Sequence, residues 1–285
     1  MQLRHILAAT DESDAGRQAV QTAVNLASRA SARVTVLRVL AIEASRRLVR
    51  AGSGSTDNGY DETAYSYLRR WLEAGVLAPG EISKVELAVT AGIPGVEICR
   101  FAEDAGVDLV VLVRKRHSRM MRLLLGDTAD AVARRSRVPC LFVPPASGEV
   151  KQILAALDGT GRGMNVLTEA CDFSQAAGAT LKSMTVERSP VGEPLHIVAE
   201  LPVARSSTLE SRVREVLARR NMAPAPLAVR RGEILERVLA EVQETGADVL
   251  AVGYHRGGPP GVIEAGSTGR RLAHAAPCAV LTIPL

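Results

Sequence analysis

Short runs of β-branched and other apolar residues alternate along this chain with longer stretches in which apolar positions recur every three or four residues. The first pattern suits buried strands and the second amphipathic helices. In the first half the spacing predicts strands near 5–9, 33–39, 84–90, 108–113 and 140–143, with helices over 14–29, 61–74, 95–105 and 127–136. In the second half it predicts helices near 164–176, 208–220, 233–245 and 267–275. Strand and helix in regular alternation imply βαβ units, a parallel sheet and right-handed crossovers that place helices on both faces. The glycine- and serine-rich stretch 51–59 reads as a loop, because it has too little apolar surface to order itself.

The pattern occurs twice. RHILAATD at 4–11 aligns with KQILAALD at 151–158, and ARVTVLRV at 32–39 with ATLKSMTV at 179–186, both at an offset of 147. AGVDLVVLV at 105–113 aligns with TGADVLAVG at 245–253 at an offset of 140, and VPCLFV at 138–143 with APCAVL at 276–281 at 138. A shorter middle loop in the second copy accounts for the change. The expected architecture is α/β: two tandem doubly wound parallel-sheet domains, over 1–146 and 147–285, joined near 144–149.

Composition narrows the function. A chain of 285 residues with 47% hydrophobic and 23% charged residues has enough apolar content for two cores and is not disordered. The longest apolar run, 107–113, is broken by Asp108 and falls far short of the roughly 20 residues of a membrane span. Asp11 and Glu12 arrive before any long apolar stretch, unlike a secretory signal, so a cytoplasmic protein is expected. Cys99, Cys140, Cys171 and Cys278 show no metal-ligand spacing and read as buried thiols. The net charge of +4 lies in the first half, and with 3% aromatics there is neither a basic face nor a stacking platform for nucleic acid.

In an open doubly wound sheet, ligands bind beyond the carboxyl ends of the strands, where the strand order reverses. Residues 157–163, 186 and 253–268 take that place in the second copy, and 10–13, 39 and 113–128 in the first. The second copy reads GYHR at 253–256, nine residues, then GST at 266–268; the first reads VRKR at 113–116, nine residues, then GDT at 126–128. A glycine at a strand exit lets backbone approach a ribose or phosphate, which Val113 would crowd. Gly266, Ser267 and Thr268 would open a helix whose free N–H groups and dipole favour phosphate, whereas Asp127 would cap its helix and repel phosphate.

These motifs, with the aspartates that follow the first strands, resemble the universal stress protein family. Its nucleotide-binding members carry Gly-x2-Gly-x9-Gly-Ser/Thr after the fourth strand and an Asp after the first. Arg256 stands here in place of the second glycine, with Gly257 following it. The resemblance implies adenine nucleotide alpha hydrolase-like, flavodoxin-like layering and a stress-response regulator acting by binding ATP or AMP, with Mg2+ if ATP, rather than by catalysis. It places Asp158 and Val186 near base and ribose, Gly253 by the ribose, Gly266, Ser267 and Thr268 at the phosphates, and Arg256 as a further phosphate contact. Asp11, Val39, Gly126 and Thr128 form the corresponding degenerate set. It further implies an internal pseudo-dimer packed through the last strands, a homodimer of tandem chains and a protein partner as open possibilities.

Plainer readings compete. Asp11 and Asp158 suit turns or helix caps, Gly253 and Gly266 a strand exit and a tight turn, and Ser267 and Thr268 an ordinary N-cap. The basic run 114–122 suits a solvated loop, and His117 and His255 lack partners for a catalytic set. No P-loop occurs, and DGTGRGM at 158–164, followed by Glu187, fails the dinucleotide fingerprint because Met164 takes the third glycine's place. The Ser-Gly-Gly and His-x-Gly-His motifs of nucleotidyl-transferring relatives are also absent. The competing function is an interaction or structural protein in which both sites have decayed, as Arg256 and Val113 would suggest.

Overall fold

A computed structural model describes residues 2–40, 59–114, 126–187, 206–255 and 268–285. The chain divides into two units, the first Gln2–Ser147 and the second Gly148–Ile283 with Leu285. In the first, β1 (His5–Thr10), α1 (Asp14–Ala30), β2 (Arg33–Leu40), α2 (Gly59–Glu73) and α3 (Pro79–Ile82) lead to β3 (Val85–Ala91). Then follow α4 (Pro94–Asp104), β4 (Leu109–Val113), α5 (Asp127–Arg135) and β5 (Cys140–Val143). The strand order is β3-β2-β1-β4-β5, and the pairings β2/β3, β1/β2, β1/β4 and β4/β5 are all parallel.

The second unit repeats the scheme with β6 (Gln152–Leu157), α6 (Gly161–Ala177), β7 (Thr180–Glu187), α7 (Ser206–Arg219) and β8 (Leu227–Arg231). It closes with α8 (Ile234–Thr245), β9 (Val249–Tyr254), α9 (Thr268–Ala275) and β10 (Ala279–Pro284), in the order β8-β7-β6-β9-β10. The α/β class and doubly wound parallel sheets expected from the periodicity are therefore present. Residues 51–58 of the expected loop lie outside the described residues, and Gly59 already belongs to α2.

Both faces of the central strands are covered, so the middle of β1 and all of β4 are apolar: Ile6, Leu7, Leu109, Val110 and Val111 have no exposed surface. α1 packs on them through Ala19, Val20, Ala23, Leu26 and Ala27, positions at the spacing of one helix face. The Ser13 Oγ caps it by accepting the Gly16 N–H at 3.1 Å. α6 begins three residues earlier than its apolar pattern indicates, because Thr160 caps it, accepting the Arg162 N–H at 3.2 Å. α3 is not legible in the sequence; its first turn is held by Glu81, whose carboxylate accepts the Ala78 N–H at 2.9 Å.

One carboxylate in each unit ties the fourth strand to the first. Asp108 Oδ2 accepts the N–H groups of Arg4 and His5, both at 2.9 Å. Asp248 Oδ2 accepts those of Lys151 and Gln152 at 2.8 and 2.9 Å. The aspartate in AGVD and TGAD thus completes the hydrogen bonding of the strand start, at the amino end of the sheet. Of the four cysteines, Cys278 is half-buried rather than buried. β10 starts one residue later, at Ala279, which leaves Cys278 in the preceding turn.

Asp108→Ala should lower the stability of the full chain by about 2–3 kcal/mol, because two backbone donors lose a charged acceptor. Urea unfolding measures the loss, and a change below about 0.5 kcal/mol would reduce the carboxylate to an ordinary surface group.

Candidate functional site

In each unit the strand order reverses between the first strand and the fourth, β1 and β4 or β6 and β9, so the carboxyl ends of these strands are where a ligand would sit. In the second unit, Asp158 is exposed immediately after β6. Its Oδ1 accepts the N–H and O–H of Thr160 at 2.9 and 2.7 Å, and Thr160 in turn caps α6. In the first unit Asp11 Oδ1 accepts the N–H and O–H of Ser13 at 3.2 and 2.5 Å, and Ser13 caps α1. Both aspartates therefore shape the turn that launches a helix.

Beneath each aspartate lies a glycine. A Cβ on Gly163 would stand 2.6 Å from Asp158 Oδ1, and one on Gly16 would stand 2.6 Å from Thr10 Oγ1 and 3.2 Å from Asp11 Oδ1. Gly16 and Gly163 are 147 residues apart, the offset of the repeat, so the alignment of the copies contained the signal that could have found them. Gly163 is not one of the dinucleotide fingerprint's glycine positions, which fall at 159, 161 and 164; its missing side chain makes room for the Asp158 carboxylate.

The residue after each aspartate adopts a left-handed conformation. In the second unit it is Gly159, with φ 75°, whereas in the first it is Glu12, with φ 61°. Glu12 Oε1 lies 3.8 Å from Arg38 Nε, placing a charged pair at the β1–β2 edge. A Glu187–Arg231 pair at 3.2 Å stands at the carboxyl ends of β7 and β8. Val39 is buried within β2 and Val186 half-buried within β7, each one position before its strand's last residue.

The two units differ most at the fourth strand. Gly253 has Leu285 and Val166 against it, so a Cβ there would lie 2.6 Å from Leu285 Cδ1 and 3.2 Å from Val166 Cγ2. Its absent side chain is thus already required by packing. α9 comes close to the same strand: a Cβ on Gly269 would collide with the Gly253 carbonyl oxygen. The corresponding positions 140 residues earlier are Val113 and Ala129. Gly126 is the N-cap of α5 and offers no side-chain acceptor, while Asp127 is exposed in the first turn and does not cap the helix. Thr128 is half-buried in that turn.

Asp158, Val186, Gly253 and Thr268 thus gather at the carboxyl edge of one sheet, around strands β7, β6 and β9 and the start of α9. Asp11, Val39, Gly126 and Thr128 gather likewise in the first unit. Arg256, Gly266, Ser267 and His117 lie outside the described residues. Of the basic run, Arg114 alone is described, and it is buried rather than solvated, being 1% exposed. Its N–H bonds to the Val143 carbonyl at 2.7 Å, which draws the residue into the sheet edge beside β5. Tyr254, its counterpart 140 residues later, is equally buried. His255 is half-buried.

Cys99, Cys140 and Cys171 are poor nucleophiles. Burial pushes Cys140 up to about 12 and Cys99 and Cys171 up to about 11, so each is protonated at neutral pH. Among the described residues no group of three or more His, Cys, Asp and Glu side chains could hold a metal ion, and no helix is long and apolar enough to cross a membrane.

The model of the Universal stress protein family matches residues 2–144 and again 149–284. Universal stress protein MJ0577 of Methanocaldococcus jannaschii is 35% identical over 60 residues, 21% of this chain and 37% of that protein. Universal stress protein MJ0531 of the same organism is 27% identical over 145 residues, 49% of this chain and 81% of that protein. The matched stretch thus spans little more than a third of the first relative. A universal stress protein from Archaeoglobus fulgidus has the same fold at a TM-score of 0.70 and 18% identity, with 100% of this chain and 99% of that one covered.

Gly269→Ala should destabilise the chain by about 2–3 kcal/mol, because the added methyl meets backbone rather than a side chain that can turn away. Thermal unfolding reads the effect, and a variant as stable as the parent would show that α9 is free to withdraw from β9.

Proposed function

The chain belongs to the universal stress protein family and carries its domain twice, and from that premise we propose that it acts by binding an adenine nucleotide, ATP or AMP, at the carboxyl edge of the second unit's sheet. The observation that carries the choice of unit is the close approach of α9 to Gly253, which Gly269 alone makes possible. That approach supports a strand exit and helix start set for an anionic group, with backbone N–H groups and the helix dipole on the ligand's side. The first unit has Val113 and Ala129 in those places and the Asp127 carboxylate in its first helical turn.

On this reading Asp158 and the backbone about Val186 face base and ribose, Gly253 the ribose, and Gly266, Ser267 and Thr268 the phosphates, with Arg256 adding a guanidinium. Mg2+ would enter on the phosphates of ATP. The nucleotide works as an effector: it favours whichever arrangement of the surrounding loops binds it better, by no more than its differential affinity for the two. Pro144 to Glu149 marks the boundary between a nucleotide-binding copy and a supporting one.

A second reading, an interaction protein without a nucleotide, is favoured by two observations. Asp158 Oδ1 already serves the Thr160 turn, and Leu285 packs against the face of Gly253. Calorimetric titration with ATP and with AMP separates the readings, since the nucleotide proposal expects one saturable site per chain and the alternative expects none at millimolar ligand. Gly266→Val should weaken binding more than tenfold, about 1.4 kcal/mol. Gly126→Val should leave binding unchanged, since a Cβ there meets nothing within 4 Å. Equal binding by both variants would remove the ligand from the second unit.

A further inference from the structure

At the amino end of the first unit's sheet, three polar side chains from adjacent strands make a continuous row. His5 on β1 is 3% exposed and Thr35 on β2 is 2% exposed, while Glu86 on β3 reaches solvent. His5 Nδ1 lies 3.2 Å from the Ala105 carbonyl oxygen, His5 Nε2 lies 2.8 Å from Thr35 Oγ1, and Thr35 Oγ1 lies 3.1 Å from Glu86 Oε2.

The number of protons along this row decides which bonds form. A carbonyl oxygen only accepts, so Nδ1 carries a hydrogen and donates it to Ala105. In a neutral imidazole Nε2 then has none and must accept from the Thr35 hydroxyl. That hydroxyl has one proton, so it cannot also donate to Glu86, whose exposed carboxylate turns to water instead. In an imidazolium Nε2 donates to Thr35 Oγ1, and the hydroxyl is free to donate to Glu86. All three contacts are satisfied together only when the row has taken up one proton more than a neutral imidazole, a hydroxyl and a carboxylate hold.

We infer that His5, Thr35 and Glu86 form a proton-binding switch, in which protonation of the buried ring reverses the Thr35 hydroxyl from His5 to Glu86. Glu86 supplies the route, since it is the member in contact with solvent and passes a proton inward through the hydroxyl. The charged groups around the ring are Arg33 from β2, Glu86 from β3 and Asp108 at the start of β4. α4 presents the Ala105 carbonyl, which also accepts from Arg33 Nη2 at 3.2 Å. Asp108 is held against the backbone of residues 4 and 5.

The second unit lacks the device. Gln152 replaces His5, and its Nε2 donates to the Thr245 carbonyl at 2.5 Å, which reproduces the Nδ1 bond alone. Lys182 replaces Thr35 and is exposed. The switch therefore distinguishes two otherwise parallel folds and is independent of any nucleotide.

Burial holds the ring below its ordinary 6.5, against the pull of the Ala105 carbonyl. The unfolded chain, titrating near the ordinary value, accordingly takes up this proton first on acidification. The stability associated with neutral His5 is complete above pH 6.5 and is lost as the pH falls towards the folded-state midpoint. Mildly acidic conditions thus act on the first unit through this row.

Nitrogen-15 histidine NMR of the full chain between about pH 8 and about pH 5 tests the inference. His5→Gln, which installs the residue that Gln152 provides in the second unit, identifies the resonance and should remove the acid-side loss of thermal stability. The expected record is an Nδ1–H tautomer at the alkaline end and a midpoint below 6.5. Glu86→Gln should move that midpoint down by about 0.5 pH unit, because the carboxylate that attracts the imidazolium is gone and the amide N–H fixes the hydroxyl on His5. An Nε2–H tautomer at the alkaline end, a midpoint unmoved in Glu86→Gln, or an unchanged pH dependence of stability in His5→Gln would each overturn it.

Discussion

Parallel pairing leaves no hairpin to set the register between strands, and in each unit the fourth strand arrives beside the first only after two others have been laid on the opposite side. Whatever fixes β4 against β1, and β9 against β6, therefore governs the whole sheet. The structure meets that constraint with the carboxylates of Asp108 and Asp248, each of which accepts two consecutive backbone N–H groups at the start of the first strand. Ile6 then stands beside Leu109 in one sheet and Ile153 beside Val249 in the other, and the apolar strands interlock from there. With the amino ends anchored, the carboxyl ends at the reversal point are left for other purposes.

What each unit does with those ends follows from a few substitutions on a shared backbone. Gly269 lets α9 rest against the strand, and Gly253 makes room for Leu285 and Val166, whereas Ala129 and Val113 stand in the equivalent places. Gly159 takes the left-handed turn residue without a side chain, and Glu12 takes it with one that faces Arg38. Non-glycine residues in that conformation are uncommon and cost energy, so the Glu12–Arg38 pair belongs to a first unit adapted differently from the second. The same holds at the amino ends, where one copy has a histidine–threonine–glutamate row and the other a single glutamine bond. Duplication supplies two scaffolds of equal topology, and the loss or gain of individual polar groups makes their strand ends chemically different.

The glycines show why a functional motif and a packing requirement are hard to separate. Gly253 sits where the family's ribose-side glycine is expected, yet Leu285 and Val166 already require its small size. Asp158 sits where a base contact is expected, yet one oxygen launches α6 through Thr160. At Asp158 the turn that uses Oδ1 also holds the carboxylate at the edge of the sheet.

The order of residues alone determined the duplication, the α/β class and the identity of the strands, because apolar periodicity and a repeat at a constant offset are properties of the linear chain. It also pointed to Asp11 and Asp158, whose place after a strand and before a helix is local. Tertiary structure decided everything that depends on neighbours distant in sequence. Arg114 reads as part of a solvated basic run but is buried at the sheet edge beside β5. Cys278 reads as a core thiol but stops one residue short of its strand. Gly16 and Gly269 read as ordinary helix residues, and Gly163 as part of a failed dinucleotide fingerprint, until their contacts with Thr10, Gly253 and Asp158 are known. His5, Thr35 and Glu86 become one proton-counting unit only because parallel pairing sets three strands side by side, which no local pattern encodes.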